Sequence, residues 1–166
     1  LFNHDAKFIS INAARWDATK HRALAVVGDA KATVEELSES LSGWKVDTAW
    51  TKKAKNLMAE WNTALDGYQK PTNATVPTYA QVVGVVNKKA APRDYMLTAA
   101  GGLPGETMKN WRCKTTNSYD LEFGFSCMGY EIAAGWGHAM AKAGNGTPIV
   151  MLGDGTYMMM NSDIYS

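Results

Sequence analysis

The sequence predicts an α/β protein built on a parallel sheet, and three stretches carry that expectation. Ile149, Val150, Met151 and Leu152 form an apolar run that reads as a buried strand and leads straight into Gly153-Asp154-Gly155-Thr156. Residues 94–98 read as a second buried strand, closed by the Ala-Ala-Gly-Gly of residues 99–102. Between them, residues 128–143 form a helix of small residues, where Ala133, Ala134, Gly135 and Gly137 permit close backbone packing. Strand, loop, helix, strand, loop is the grammar of a parallel sheet.

From the amino end, residues 7–11 alternate as a short strand, and residues 23–27 form another that ends at Gly28-Asp29. Asp29 is placed to cap a helix running to about Leu41. Residues 43–65 are polar and helical, with Trp44, Trp50, Leu57, Met58, Trp61 and Leu65 at spacings that suit a core or an interface. Pro71, Thr72, Asn73 and Pro77 mark residues 69–77 as a linker-like break. Thr78 then caps a helix through Val82, Val83, Val85 and Val86, which ends before Pro92. Residues 99–105 are expected to be the loop after the strand at 94–98, and residues 106–111 a short helix.

Composition excludes several classes of partner. The chain is 46% hydrophobic and 20% charged, with a net charge of +1 and no basic cluster, so nucleic acid is not an expected partner. No apolar run reaches membrane-spanning length, and no signal-peptide pattern opens the chain. Cys113 and Cys127 stand in no metal-ligand or Cys-x-x-Cys spacing, which points to reduced thiols and a cytoplasmic setting. His4, His21 and His138 form no pattern with a nucleophile and are expected to be structural or surface residues.

The chemistry is concentrated at residues 153–156. In open α/β sheets, ligands bind outside the carboxyl ends of the strands. A Gly-Asp-Gly-Thr turn there offers backbone N–H groups, a hydroxyl and one carboxylate. That is what holding a diphosphate through a hard divalent cation requires, although Gly-Asp-Gly is also an ordinary turn. Asp154 is the candidate magnesium ligand, Gly155 and Thr156 candidate diphosphate donors, and Gly153 the residue that lets the backbone approach.

Upstream, Glu122-Phe123-Gly124-Phe125-Ser126-Cys127-Met128-Gly129-Tyr130-Glu131 stands at the expected distance from the Gly-Asp-Gly turn. In that order and spacing the chain resembles the thiamine diphosphate enzymes of the acetohydroxyacid synthase and pyruvate decarboxylase group. The wording of residues 122–133, with Ala-Ala-Gly-Gly-Leu-Pro-Gly-Glu at 99–106, most resembles the branch that hydrolyses a trihydroxycyclohexanedione in myo-inositol catabolism. The resemblance covers the whole chain and is best from Tyr95 onward. It implies thiamine diphosphate and Mg2+ as cofactors, a cyclic dione as substrate, and a homo-oligomeric parent. Decarboxylation or carboligation within the same superfamily is the alternative reaction, and a non-catalytic phosphate-binding module the alternative class.

Residue by residue, the resemblance makes Met128 the bulky side chain that bends the cofactor. Its N–H would meet the aminopyrimidine ring, and the carbonyl of Ser126 would accept from the ring's amino group. Relatives often carry Gly where this chain has Ser126. Gly105, Glu106 and Thr107 correspond to the family's other diphosphate-contacting loop, where the wording departs from the Gly-Gln-His of acetohydroxyacid synthases. The family's second metal ligand is an Asn roughly 25–30 residues beyond the turn aspartate. Only 166 − 154 = 12 residues follow Asp154, and Asn161 is too close, being expected instead to cap the next helix. The glutamate that protonates the pyrimidine comes from another domain in the family, and Glu122 and Glu131 are not substitutes. Together these features imply an incomplete cofactor-binding domain at residues 71–166, preceded at residues 1–70 by the end of a middle domain and a linker helix. The piece alone is expected to be inactive.

Overall fold

The computed structural model describes residues 2–166 and divides into two compact units, Leu1–Ala54 and Lys55–Ser166. In the first, β1 (Ile9–Asn12) pairs in parallel with β2 (Leu24–Val27), with Ile9 opposite Leu24 and Asn12 opposite Val27. A short helix, α1 (Arg15–Ala18), and a 3₁₀ turn at Lys20–Arg22 connect them. Asp29 caps α2 (Ala30–Ser40) as expected, its Oδ1 accepting the Ala32 N–H at 2.9 Å.

The unit division falls inside α3 (Thr48–Tyr68), whose carboxyl part belongs to the second unit. Arg112 fixes it there, donating to the Asn62 carbonyl and to Asp66, each at 2.8 Å. Gln69 adds a bond to the Asn110 carbonyl at 2.9 Å. Of the large side chains on the polar helical stretch only Leu65 is buried; Trp50, Leu57, Met58 and Trp61 are exposed. The spacing therefore marks a surface stripe rather than a core.

Thr78 opens α4 (Tyr79–Lys89) with a full capping box: its hydroxyl accepts the Gln81 N–H while the Gln81 side chain accepts the Thr78 N–H. Next come β3 (Tyr95–Thr98), α5 (Gly102–Asn110), β4 (Tyr119–Leu121), α6 (Tyr130–Lys142), β5 (Pro148–Val150) and α7 (Asp154–Met160), with a last 3₁₀ turn at Asn161–Ile164. The three strands form one parallel sheet in the order β4-β3-β5, so the strands expected at 94–98 and 149–152 do lie in one sheet, as neighbours.

Alternation along β3 sets the layers. Met96 faces a cluster with Val83 and Met151, bordered by Val82, Val86 and Leu103, so α4 and α5 cover that side. Leu97 faces the other way, where Gly135 of α6 approaches both Leu97 and Val150. The register of β3 and β5 is pinned at the amino end by Asp94, whose Oδ1 accepts the Thr147 N–H at 3.0 Å and whose Oδ2 accepts the Ala91 N–H at 2.7 Å. These two bonds, Thr147 first, hold the Asp94 carboxyl below its usual range. His138 is structural, its ring stacked on Tyr95 at 3.9 Å between centroids. Among the described residues no helix is long and apolar enough to cross a membrane.

Three expectations need correction. The β4 strand was not anticipated: it is three residues long and carries Asp120 at its centre, so it shows neither an apolar run nor alternation. The loop after β3 is shorter than expected, because α5 begins at Gly102 and takes Pro104 into its first turn, where a missing N–H costs nothing. Asn161 makes no capping bond; it lies within the 3₁₀ turn, and Met160 occupies the capping position.

Candidate functional site

Because the three strands are parallel, Thr98, Leu121 and Val150 end on the same side, and three connections open there: residues 99–101, 122–129 and 151–153. The chain leaves β3 for α5, on the Met96 side, and leaves β5 for α7, which packs with α6 on the Leu97 side. Two neighbouring strands whose exits diverge leave a crevice between them, the position at which open α/β sheets take ligands. Its floor is tied by buried polar bonds. Met151 donates from its N–H to the Leu97 carbonyl at 3.1 Å, and the fully buried Thr98 hydroxyl donates to the Met151 carbonyl at 3.1 Å.

The turn at 153–155 stands on this end. Gly153 occupies the capping position of α7, and Asp154, exposed, is the first helical residue. Asp154 folds back on the turn, its Oδ1 accepting the Gly155 N–H at 2.9 Å. A Cβ at Gly153 or Gly155 would meet nothing within 4 Å, so the turn is open to an incoming group. Thr156 is 5% exposed, on the inner side of α7.

Residues 122–129 are organised around one carboxylate. Glu122 accepts the Phe125 N–H through Oε1 at 3.0 Å and the Cys127 N–H through Oε2 at 2.9 Å. These bonds, Phe125 first, hold its carboxyl below the usual range. With its backbone held in this way, the segment turns its apolar side chains outward: Phe123, Phe125 and Met128 are all exposed. Met128 is 46% exposed and so is not an ordinary core methionine. Ser126 has φ +56°, in the left-handed region that favours glycine. Glycine would hold this conformation without strain.

The Met128 N–H donates to the Ser126 carbonyl at 3.0 Å. The two backbone groups expected to meet an aminopyrimidine are thus bonded to each other and would exchange that bond for a ligand. Tyr130 anchors the start of α6 to β4, donating to Asp120 Oδ2 at 2.9 Å, and that bond pushes its phenol up to about 12. Desolvation, then the neighbouring Glu122 carboxylate, pushes the Cys127 thiol up, which disfavours its thiolate form.

Six of the nine site residues expected from sequence therefore stand at the carboxyl end of the sheet: Ser126, Met128, Gly153, Asp154, Gly155 and Thr156. Gly105, Glu106 and Thr107 do not lie in a loop. They fall inside α5, where Glu106 binds Lys109 at 2.8 Å and the Thr107 hydroxyl, fully buried, donates to the Pro104 carbonyl at 2.7 Å. The residues that follow β3 at this end are Ala99, Ala100 and Gly101, the last at φ +132°. Sequence reasoning also passed over Thr98, Glu122 as an organiser of its loop, and Gly101. Of these only Gly101 left a signal, a paired glycine directly after a strand.

Residues 99–166 match the family model Thiamine pyrophosphate enzyme, C-terminal TPP binding domain, which upholds the resemblance drawn from residues 122–156. More particularly, the chain is similar to proteins named 3D-(3,5/4)-trihydroxycyclohexane-1,2-dione hydrolase. The Listeria innocua protein is 33% identical over 189 residues, covering 98% of this chain and 29% of that protein. Those of Clostridium botulinum (strain Alaska E43 / Type E3) and Geobacillus thermodenitrificans are 32% and 29% identical, over 98% and 96% of this chain. The chain thus spans less than a third of the length of these relatives.

The residues present fit the family's cofactor. Magnesium takes oxygen ligands and is commonly held by one or two carboxylates together with phosphate oxygens, rather than by an all-protein cage. Asp154 is such a carboxylate, exposed beside an open glycine turn. Among the described residues, no group of three or more His, Cys, Asp or Glu forms a cage.

Proposed function

We propose that this chain supplies the diphosphate- and magnesium-binding part of a thiamine diphosphate site, in a polypeptide that hydrolyses a carbon–carbon bond of a cyclic, polyol-derived 1,2-dione in myo-inositol breakdown. One observation carries the reading: the Gly153-Asp154-Gly155 turn sits on the carboxyl end of a parallel strand, next to the divergent exit of β3. The similarity of nearly the whole chain to named hydrolases supports the choice of reaction.

Asp154 would leave the Gly155 N–H to give magnesium an oxygen, freeing that N–H for the diphosphate, where the neighbouring Thr156 N–H would join it. Met128 would press on the cofactor from the exposed side of its turn, with the Met128 N–H and the Ser126 carbonyl turned from each other to the pyrimidine. When bound, thiamine diphosphate supplies a carbon nucleophile that also stores the electron pair released on cleavage. The second magnesium side chain and the pyrimidine-protonating glutamate would come from other parts of the polypeptide or its partner subunit. The domain reading assigns residues 71–166 to the cofactor domain and residues 1–70 to the end of a middle domain and its linker, in a cytoplasmic homo-oligomer.

Calorimetric titration of thiamine diphosphate with saturating Mg2+ into the full-length polypeptide tests this. Asp154→Ala is expected to lose at least tenfold in affinity, about 1.4 kcal/mol, while remaining folded, because the carboxylate is exposed and outside the core. Unchanged affinity in the folded variant would reduce the Gly-Asp-Gly sequence to a turn and remove the functional reading.

A further inference from the structure

The turn that carries Met128 ends in a bond that the proposed chemistry does not use. Glu131, in the first turn of α6, is fully buried. Its Oε2 accepts the Gly129 N–H at 3.0 Å, whereas its Oε1, also buried, has no partner among the described residues. Gly129 itself is held at φ +103°, a backbone that side-chain-bearing residues rarely adopt. Met160, the last residue of α7, also lies against it. A Cβ at Gly129 would fall 2.7 Å from the Met160 Cβ and closer still to its Cγ. Gly129 is therefore in contact with both a carboxyl oxygen from α6 and a side chain from the end of the Gly-Asp-Gly helix.

A carboxyl group that is wholly buried and only half satisfied is a poor choice for stability, since an apolar side chain of similar size commonly serves a core as well or better. What it provides here is direction. An unusual glycine conformation is kept in place by a strong acceptor aimed at its N–H, and residues 126–128 run directly into that glycine. We propose that Glu131 is a positioning residue: it fixes the turn at residues 126–129, and with it Met128, in register with the end of α7. Resting on the cofactor reading above, this makes Gly129 the joint between the pyrimidine-facing turn and the diphosphate-facing helix.

The test compares Glu131→Gln and Glu131→Met with wild type in the full-length polypeptide. Three quantities are read: urea stability, amide hydrogen exchange over residues 126–130 without cofactor, and thiamine diphosphate affinity with saturating Mg2+. Gln retains a carbonyl for the Gly129 N–H and is expected to stay within threefold of wild type in exchange and affinity. Met is expected to be at least as stable as wild type, yet to exchange at least tenfold faster over 126–130 and to bind at least tenfold more weakly. Wild-type exchange and affinity in Glu131→Met would overturn the proposal, as would its failure to fold, since either would make Glu131 a core residue and nothing more. Faster exchange in Glu131→Met, in a polypeptide whose wild-type form binds no thiamine diphosphate, would uphold the positioning role and remove the cofactor reading instead.

Discussion

The seat of α6 on β5 is the contact on which the placement of Asp154 depends, and Gly135→Ala perturbs it directly. An added Cβ would lie 2.5 Å from Val150 Cγ2 and 3.7 Å from Leu97 Cδ1. Val150 is the last residue of β5, four positions before Asp154. In an exposed helix interior, Gly→Ala is favourable by about 1 kcal/mol. Here the methyl has to push α6 off the strand, and overpacking of this kind costs about 1–3 kcal/mol. The net expectation is a loss of about 1 kcal/mol, or about 2–4 °C in Tm for a chain of this size. The double-mutant cycle isolates the cause, because Val150→Ala removes the obstructing methyl. In that background Gly135→Ala is expected to regain most of its helix-forming advantage, giving a coupling of about 2 kcal/mol between the two sites. Urea denaturation of the four proteins, followed by far-ultraviolet circular dichroism, measures it. A Gly135→Ala substitution that stabilises both backgrounds equally would show that α6 does not sit against Val150, and the position of the Gly-Asp-Gly turn would lose its support.

On the proposed function, Met128→Ala in the full-length polypeptide is expected to lower kcat more than it weakens cofactor binding, since it would change the cofactor's shape rather than its anchor; steady-state kinetics beside calorimetry reads the two effects separately. Thr98→Val keeps the volume but leaves the Met151 carbonyl without its buried donor, at a cost of about 1–2 kcal/mol in urea unfolding. The Glu122 carboxyl is lowered in the folded chain, so its contribution is complete above the unfolded carboxylate value of about 4.3 and is lost as the pH falls through the lower folded value. Hydrogen exchange at Phe125 and Cys127, corrected for its intrinsic pH dependence, is therefore expected to accelerate in that acid window. Glu122→Gln is expected to abolish the pH dependence.

What could be read from the sequence follows from how far each signal travels along the chain. Strands β3 and β5 announce themselves because both faces are covered, Met96 by α4 and α5 and Leu97 by α6, so that they become continuous apolar runs. The caps at Asp29 and Thr78 are local chemistry and were legible for that reason. The β4 strand was not, because its pairing to Met96, Leu97 and Thr98 is a long-range fact that its own Tyr-Asp-Leu does not encode. The assignment of Gly105, Glu106 and Thr107 suffered from the reverse error, in which Pro104, read as a loop residue, stands where a helix begins. Of the two glycines in the small-residue stretch of α6, Gly135 is in close contact with the sheet, whereas a Cβ at Gly137 would meet nothing within 4 Å.

The site divides along the same line. The anchor proposed for it, the turn at 153–155, is written in consecutive residues, because an anion and a hard cation would need glycine and a carboxylate within one turn. The orientation of that anchor is written elsewhere: in Thr98, which closes the exit of β5, in Glu122, which gathers its own loop, and in Glu131, which bonds Gly129 where Met160 also packs. None of these belongs to the Gly-Asp-Gly turn itself, and each acts through a backbone group rather than on a ligand. A turn can be copied into any chain, but a turn aimed at a crevice needs these supports. Substitutions at Thr98, Glu122 and Glu131 should therefore weaken ligand binding while leaving the Gly-Asp-Gly sequence intact, and the motif alone cannot forecast function in a variant that has lost them.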